Sequence, residues 1–220
     1  TAVEDLDGIL ITHEHRDHVS GLQTLTKKYR LPVYARPDSW AAMYCRENLP
    51  DDCCRNLGDS LDIGQVKIEP FSISHDAADP VGFSCYYGSK KVSLATDFGF
   101  ATETVKKALA LSDALVLEAN HDLDMLKNGA YPGFLKRRIL SDRGHLSNVD
   151  AGLLLSRLAR KQHTEVFLAH LSKENNRLEL AESTVSHIMQ EQGWQIGPDV
   201  GLHLTYPDQI ASLTLAEEEL

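Results

Sequence analysis

A chain of 220 residues, 42% apolar and 25% charged, has the composition of an ordinary globular protein and the length for one sizeable domain or two small ones. Its 32 acidic against 22 basic side chains leave a formal charge of −10, which argues against a general nucleic-acid coat but not against a local basic track. No apolar run approaches ~18 residues, and no basic stretch followed by an apolar core opens the chain, so neither a membrane span nor a signal peptide is expected.

The predicted elements alternate between strand and helix. Residues 6–12 ("LDGILIT") form an apolar run that reads as a buried strand ending at a histidine cluster. A helix is expected over 21–29, a short strand over 31–35, and a helix over 39–48 capped by Asp38 or Ser39. Residues 65–74 alternate apolar and polar, predicting a strand that ends at His75. Residues 81–87 and 91–96 flank "GSK" as a hairpin. A helix over 102–111 and a strand over 114–118 follow, then a helical stretch broken by Gly and Pro that runs to Leu140. The last elements are a helix over 148–161 capped by Ser147 or Asn148, a strand over 164–169 ending at His170, a helix over 176–192 and a strand over 201–206. The "AEEEL" tail is expected to fray. No repeat is present. Cys45, Cys53, Cys54 and Cys85 show neither CxxC nor zinc-finger spacing, and reduced thiols in a cytoplasmic protein are the expectation.

The stretch "THEHRDHVSG" (residues 12–21) concentrates His13, His15, Asp17 and His18 at the end of the first strand. The bland alternative is a polar loop that happens to be rich in histidine. In extended backbone, residues two apart point the same way, so His13 and His15 present two imidazoles to one point. Past the turn, Asp17 and His18 face a second point nearby. Imidazole and carboxylate without thiolate suit zinc, manganese or iron. Further single candidates stand at strand ends: His75 after "FSIS", Asp97 after "VSLAT" and His170 after "VFLA". Strand ends along one rim of a sheet are where sites gather in layered α/β folds. Five histidines and two aspartates suffice for two metals that share one bridging carboxylate.

The pattern His13-x-His15-x-Asp17-His18, followed by His75, Asp97 and His170, resembles the metallo-β-lactamase superfamily of binuclear metallohydrolases. The stretches "GILITHEHRDHVSGL", "SHDAADPVGF", "EANHDLDML", "YPGFLKRRILSDRGHLSN" and "FLAHLSKENN" are similar to its YycJ/WalJ (VicX) branch of exonucleases and phosphodiesterases. The resemblance covers nearly the whole chain. It implies an α/β fold, a four-layer αββα sandwich spanning residues 1–220 as one domain. It also implies that His13, His15 and His75 hold one divalent metal, that Asp17, His18 and His170 hold a second, and that Asp97 bridges. The metals would be zinc or manganese, with iron as an alternative. Asp97 stands where the β-lactamases proper usually carry cysteine; aspartate there is the pattern of phosphodiesterases, thioesterases and lactonases. Family members carry further strands ahead of the first motif. Here that motif lies near the first residue, so an N-terminal sheet lacking its first strands is expected.

The resemblance implies a cytoplasmic hydrolase that attacks DNA or another phosphodiester with a metal-bridging hydroxide, a homodimer being left open. His145 sits where related phosphodiesterases keep a non-ligand histidine near the scissile phosphate. It is the candidate proton donor; the alternative is a structural histidine ahead of the next helix. Asp17 is a candidate for a second role, orienting the hydroxide. Ser147 and Asn148 offer free N–H groups to a phosphate, or simply cap the helix. Lys136, Arg137 and Arg138 are either a solvated helix face or a track for a nucleic-acid backbone. Glu118 is either a support for a ligand histidine or a buried strand-end acid satisfied by backbone. His121 either touches the site or, the preferred reading, supports it from behind or is structural. The competing function is hydrolysis of small esters, thioesters, lactones or β-lactams on the same centre, and a third class is a non-catalytic interaction protein, which the intact ligand set disfavours.

Overall fold

Three residues, Val33 to Ala35, show how the layers form. In this strand, β2 (Val33–Ala35), Val33 and Ala35 point one way into a fully buried cluster with Ile11, Val19, Leu22 and Trp40, while Tyr34 points the other way. The preceding strand β1 (Ile9–Leu10) divides its two side chains likewise, Ile9 with the first cluster and Leu10 with the second. The computed structural model describes residues 2–215. The tail at 216–220, expected to fray, lies outside them.

The first cluster lies between a small sheet and the helices α1 (Arg16–Val19), α2 (Leu22–Tyr29) and α3 (Pro37–Ala42). The small sheet is parallel and has the order β1-β2-β3, with β3 at Cys54–Asn56. The second cluster joins Leu10 and Tyr34 to Leu57, Ile68, Val81 and Phe83, and so glues the small sheet to a larger one.

The larger sheet comprises β4 (Leu61–Ile63), β5 (Val66–Ser72), β6 (Val81–Tyr87), β7 (Lys90–Ala95), β8 (Ala114–Glu118), β9 (Thr164–Ala169) and β10 (Val200–Leu204), in the order β10-β9-β8-β7-β6-β5-β4. Strands β4 to β7 pair antiparallel and β7 to β10 parallel. Its outer face, with Ala95, Leu115, Leu117, Val166 and Leu168, is covered by α4 (Glu103–Leu109), α7 (Asn148–Arg157) and α8 (Leu178–Glu191) through Val105, Leu109, Leu155, Val185 and Met189. Helix, sheet, sheet, helix is the αββα sandwich that the motifs implied. Two short helices, α5 (Leu123–Asn128) and α6 (Gly133–Ile139), fill the connection after β8.

Several boundaries differ from expectation. The helix expected over 39–48 starts at Pro37 and stops at Ala42, with a separate turn at Arg46–Asn48. Proline takes the first helical position because its missing N–H would have no partner there. Arg36, not Asp38 or Ser39, is therefore the N-cap, and the buried Ser39 hydroxyl donates to the Asp79 carbonyl at 3.3 Å. The strand expected over 6–12 contracts to β1. The short strands β3 and β4 were not foreseen; three residues with exposed positions carry little periodic signal. The helix before β9 is capped by Ser147, whose hydroxyl accepts from the Asp150 N–H. All four cysteines are free thiols. Among the described residues no helix is long and apolar enough to cross a membrane.

The topology turns the carboxyl ends of β1, β5, β7, β8 and β9 to one edge. The end of β5 pairs with the start of β6 (Ser72 with Val81), which leaves the ends of β5 and β7 together. Thr12 accepts from the Val81 N–H at 3.0 Å and ties the small sheet to that edge.

Candidate metal centre

The chain leaves β1 at Ile11 and turns into α1, with His15 at the N-cap position. That turn gives the histidine motif two facets. His13 is fully buried, and its ring centroid lies 4.6 Å from that of His15 and 4.9 Å from that of His75. His15 Nδ1 is 3.3 Å from His75 Nε2. The donor atoms of His13, His15 and His75 all lie within 4.8 Å of one another, and so do those of Asp17, His18 and His170. Asp97 stands between the two triads. Its Oδ2 is 3.3 Å from His18 Nε2; its Oδ1 is 3.4 Å from His170 Nδ1 and 4.0 Å from His75 Nε2. The structure thus brings all seven expected ligands to one place.

The donor set fits a divalent cation. His13 Nε2 and Asp97 Oδ2 are buried and make no hydrogen bond, a costly state for polar atoms unless something else engages them. Burial, then the surrounding imidazoles of His18, His75 and His15, drives the His13 pKa down to about 2, so its ring is neutral and offers a lone pair. Burial lowers His75 as well, against the pull of Asp97. The Thr12 hydroxyl lies 3.1 Å from His13 Nδ1 and 3.3 Å from His18 Nδ1, and so steadies one histidine of each triad from behind.

Among the described residues, four other than glycine adopt left-handed backbone, and two of them are at this site. Asp97 and His170 both adopt left-handed backbone, with φ of 61° and 55°. Such a conformation costs a non-glycine residue about 1–3 kcal/mol and persists where the surroundings impose it. For His170 the surroundings are visible: Asn120 Nδ2 donates to its carbonyl at 2.8 Å, and Glu118 holds its ring.

Glu118 is fully buried at the end of β8 and accepts four hydrogen bonds. Oε1 takes His145 Nδ1 and His170 Nδ1, each at 2.8 Å; Oε2 takes the N–H groups of Phe98 at 3.1 Å and Leu146 at 3.0 Å. Burial pushes this carboxyl up, but the hydrogen bonds from His145 and His170 outweigh it and hold the pKa at about 2. The same contacts act in reverse on the rings. Burial lowers His170, yet the Glu118 hydrogen bond and Asp97 raise it to about 9. His145 is raised for the same reasons, against burial. Both sequence alternatives for Glu118 therefore hold at once. A carboxylate supporting a histidine and a strand-end acid satisfied by backbone N–H groups are the two halves of one side chain.

His145 belongs to neither triad. Its Nδ1 is 3.6 Å from Asp97 Oδ1, and its ring lies 5.3 Å from those of His75 and His170. It arrives there on the loop after α6, which packs against the loop after β7. A Cβ on Gly99 would collide with the Ser141 carbonyl and the Gly144 nitrogen, so only glycine permits that approach.

Other candidates are placed elsewhere. Ser147 and Asn148 are 1% exposed. The Ser147 hydroxyl caps α7 and donates to Asp150, and the Asn148 amide pairs with that of Asn176 at 2.9 Å. Their side chains are committed within the protein, and the Asn148 N–H donates to the His121 carbonyl at 2.9 Å. Lys136 donates to the carbonyls of Lys127 and Gly129, and Arg138 forms a two-pronged ion pair with Asp76. Two of the three cations of that basic run are thus engaged internally. Buried His121 stays outside both triads. Sequence reasoning missed Thr12 and the asparagines at 120 and 176, whose amides tie the loop after β9 to the loop after β8. Thr12 adjoins the motif, but nothing in residue spacing singles out the asparagines.

Comparison with known proteins agrees with this geometry. A family model described as the beta-lactamase superfamily domain matches residues 1–171. The chain is 41% identical over 208 residues to exodeoxyribonuclease YycJ of Bacillus anthracis, covering 93% of this chain and 79% of that protein. It is 38% identical over 216 residues to exodeoxyribonuclease WalJ of Streptococcus pneumoniae serotype 2, with 96% and 80% covered. Among solved structures, the metallo-beta-lactamase fold protein YhfI from Bacillus subtilis matches with a TM-score of 0.69 at 15% identity, over 92% of this chain and 76% of that one. Zn(2+)-bound PqqB from Methylobacterium extorquens matches with 0.61 at 20% identity, over 87% and 68%. At such identities the two structures speak for the fold alone. The chain belongs to the metallo-β-lactamase superfamily and, within it, to the family of the exodeoxyribonucleases YycJ and WalJ.

Proposed function

We propose that the protein is a binuclear metal-dependent phosphodiesterase that acts on DNA as an exonuclease. His13, His15 and His75 hold one divalent cation, zinc or manganese; Asp17, His18 and His170 hold the other, and Asp97 faces both. When bound, such cations supply Lewis acidity toward the phosphoryl oxygens and an activated water. Asp17, largely exposed at the rim, orients the attacking water. The apolar layer shared by the two sheets supports reading residues 1–220 as one domain.

One observation favours phosphodiester hydrolysis over the opening of a lactone or β-lactam. His145 stands beside Asp97 without being part of either triad, and the Glu118 carboxylate holds its Nδ1. That hydrogen bond leaves Nε2 to meet substrate and stabilises the protonated ring. Nε2–H is then placed to protonate the departing oxygen as the phosphorus–oxygen bond breaks. The names of the YycJ and WalJ relatives support DNA as the phosphodiester.

The deciding experiment is a paired assay on manganese- or zinc-loaded protein. End-labelled DNA and a nitrophenyl phosphodiester are compared with a panel of β-lactams, lactones and thioesters. Stepwise shortening of the DNA with no turnover on the panel is expected. Turnover confined to the panel would overturn the proposal.

A further inference from the structure

A cavity of about 500 Å³ opens beside the centre, with His145 and His170 in its inner wall. Its outer walls bring together three kinds of chemistry. Tyr131 offers a half-buried aromatic ring ahead of α6, next to apolar Leu135. Ser172 and Lys173 follow His170 on the opposite wall. Arg138 also lines the cavity, but its charge is taken by Asp76. Among the described residues, Lys173 makes no hydrogen bond or ion pair, and its side chain is exposed. An aromatic face, a free cation and a volume in the usual range for small-molecule sites match one ligand chemistry, a nucleotide.

The cavity also has a defined position in the reaction. His145 is the proton donor to the leaving oxygen, and it stands in the wall. We propose that this cavity takes the nucleotide on the leaving side of the scissile phosphodiester, with its base stacked on Tyr131 and a backbone phosphate on Lys173. The assignment rests on the phosphodiesterase reading above, and it adds what determines the fit of the released unit. Base stacking tolerates every base, because each has a π face, so the pocket selects for the presence of a base rather than its identity.

The test measures binding, so it does not depend on turnover. A fluorescein-labelled deoxyadenosine octamer with hydrolysis-resistant phosphorothioate links is titrated into the metal-loaded protein. A matched octamer with abasic residues at both ends is the comparison. The wild type should prefer the base-bearing ends. Tyr131→Ala should weaken the adenine octamer about tenfold and leave the abasic one unchanged, and Tyr131→Phe should bind like the wild type. Lys173→Ala should weaken both octamers alike and lower the slope of log affinity against log salt by about 0.7. A Tyr131→Ala protein that binds both octamers as the wild type does would overturn the assignment. If the wild type hydrolyses no phosphodiester, the activity reading fails on its own, while the adenine-to-abasic ratio still decides the pocket.

Discussion

Replacing Glu118 by glutamine changes one atom and should disturb both stability and metal affinity. The carboxylate is buried and accepts four hydrogen bonds, two on each oxygen. An amide keeps one accepting oxygen and turns an NH2 group toward two donors. Whichever way it rotates, two N–H groups lose their acceptor: either those of Phe98 and Leu146, or the Nδ1 groups of His145 and His170. A buried donor left unsatisfied costs about 1–3 kcal/mol, so Glu118→Gln should destabilise the fold by about 2–6 kcal/mol. With a urea dependence of about 2 kcal/mol per molar, the unfolding midpoint should fall by roughly 1–3 M. Trp40 and Trp194 lie in different apolar clusters, so tryptophan fluorescence reports on both halves. The folded carboxyl lies at about 2, below its ordinary 4.5. Its contribution is therefore present above pH 4.5 and lost as pH falls toward 2, so the gap between wild type and variant should close in acid. Competition with a chromophoric chelator should show metal affinity lowered about 10–100-fold, the usual cost of losing the group behind a ligand histidine. An unchanged urea midpoint together with metal affinity within twofold of wild type would refute this account of Glu118.

Asp97→Ala should lose both metals rather than one, because Asp97 faces both triads; elemental analysis that still finds two ions per chain would remove its bridging role. His145→Ala should keep metals and fold but lose about 10²–10⁴-fold in turnover on DNA, the usual contribution of a general acid. Its loss on a nitrophenyl diester should be much smaller, since nitrophenolate leaves without a proton, and equal losses on both substrates would point to phosphate binding instead. His163, just ahead of β9, has its pKa raised by hydrogen bonds to the Pro198 carbonyl and to Glu165. A raised folded pKa stabilises below the ordinary value of about 6.5 and is lost as pH rises through the folded value. The melting temperature of wild type should therefore exceed that of His163→Ala at pH 5.5 and converge with it at pH 9; a gap independent of pH would exclude this pair.

The residue pattern carried the candidate ligands and the order of the larger elements. His13, His15, Asp17 and His18 are read from one short stretch because extended backbone and a following turn fix where neighbouring side chains point. His75, Asp97 and His170 are read because each ends an apolar run, and strand ends gather on one edge. The strands over 81–87 and 114–118 also kept their predicted bounds, since period and turn residues are local signals. What chain-distant residues share could not be read in this way. Glu118 is one acid at a strand end, and its hold on His145 and His170 spans 27 and 52 residues. Ser147 and Asn148 read in sequence as either phosphate contacts or caps, and only folding buries them and gives Ser147 the Asp150 N–H and Asn148 the Asn176 amide. Lys136 and Arg138 read in sequence as part of a solvated helix face or a nucleic-acid track, and only folding brings them the carbonyls of Lys127 and Gly129 and the carboxylate of Asp76. Spacing determines which groups are available; the packing of loops from five strand ends determines which are already hydrogen-bonded and which remain to meet a metal or a substrate.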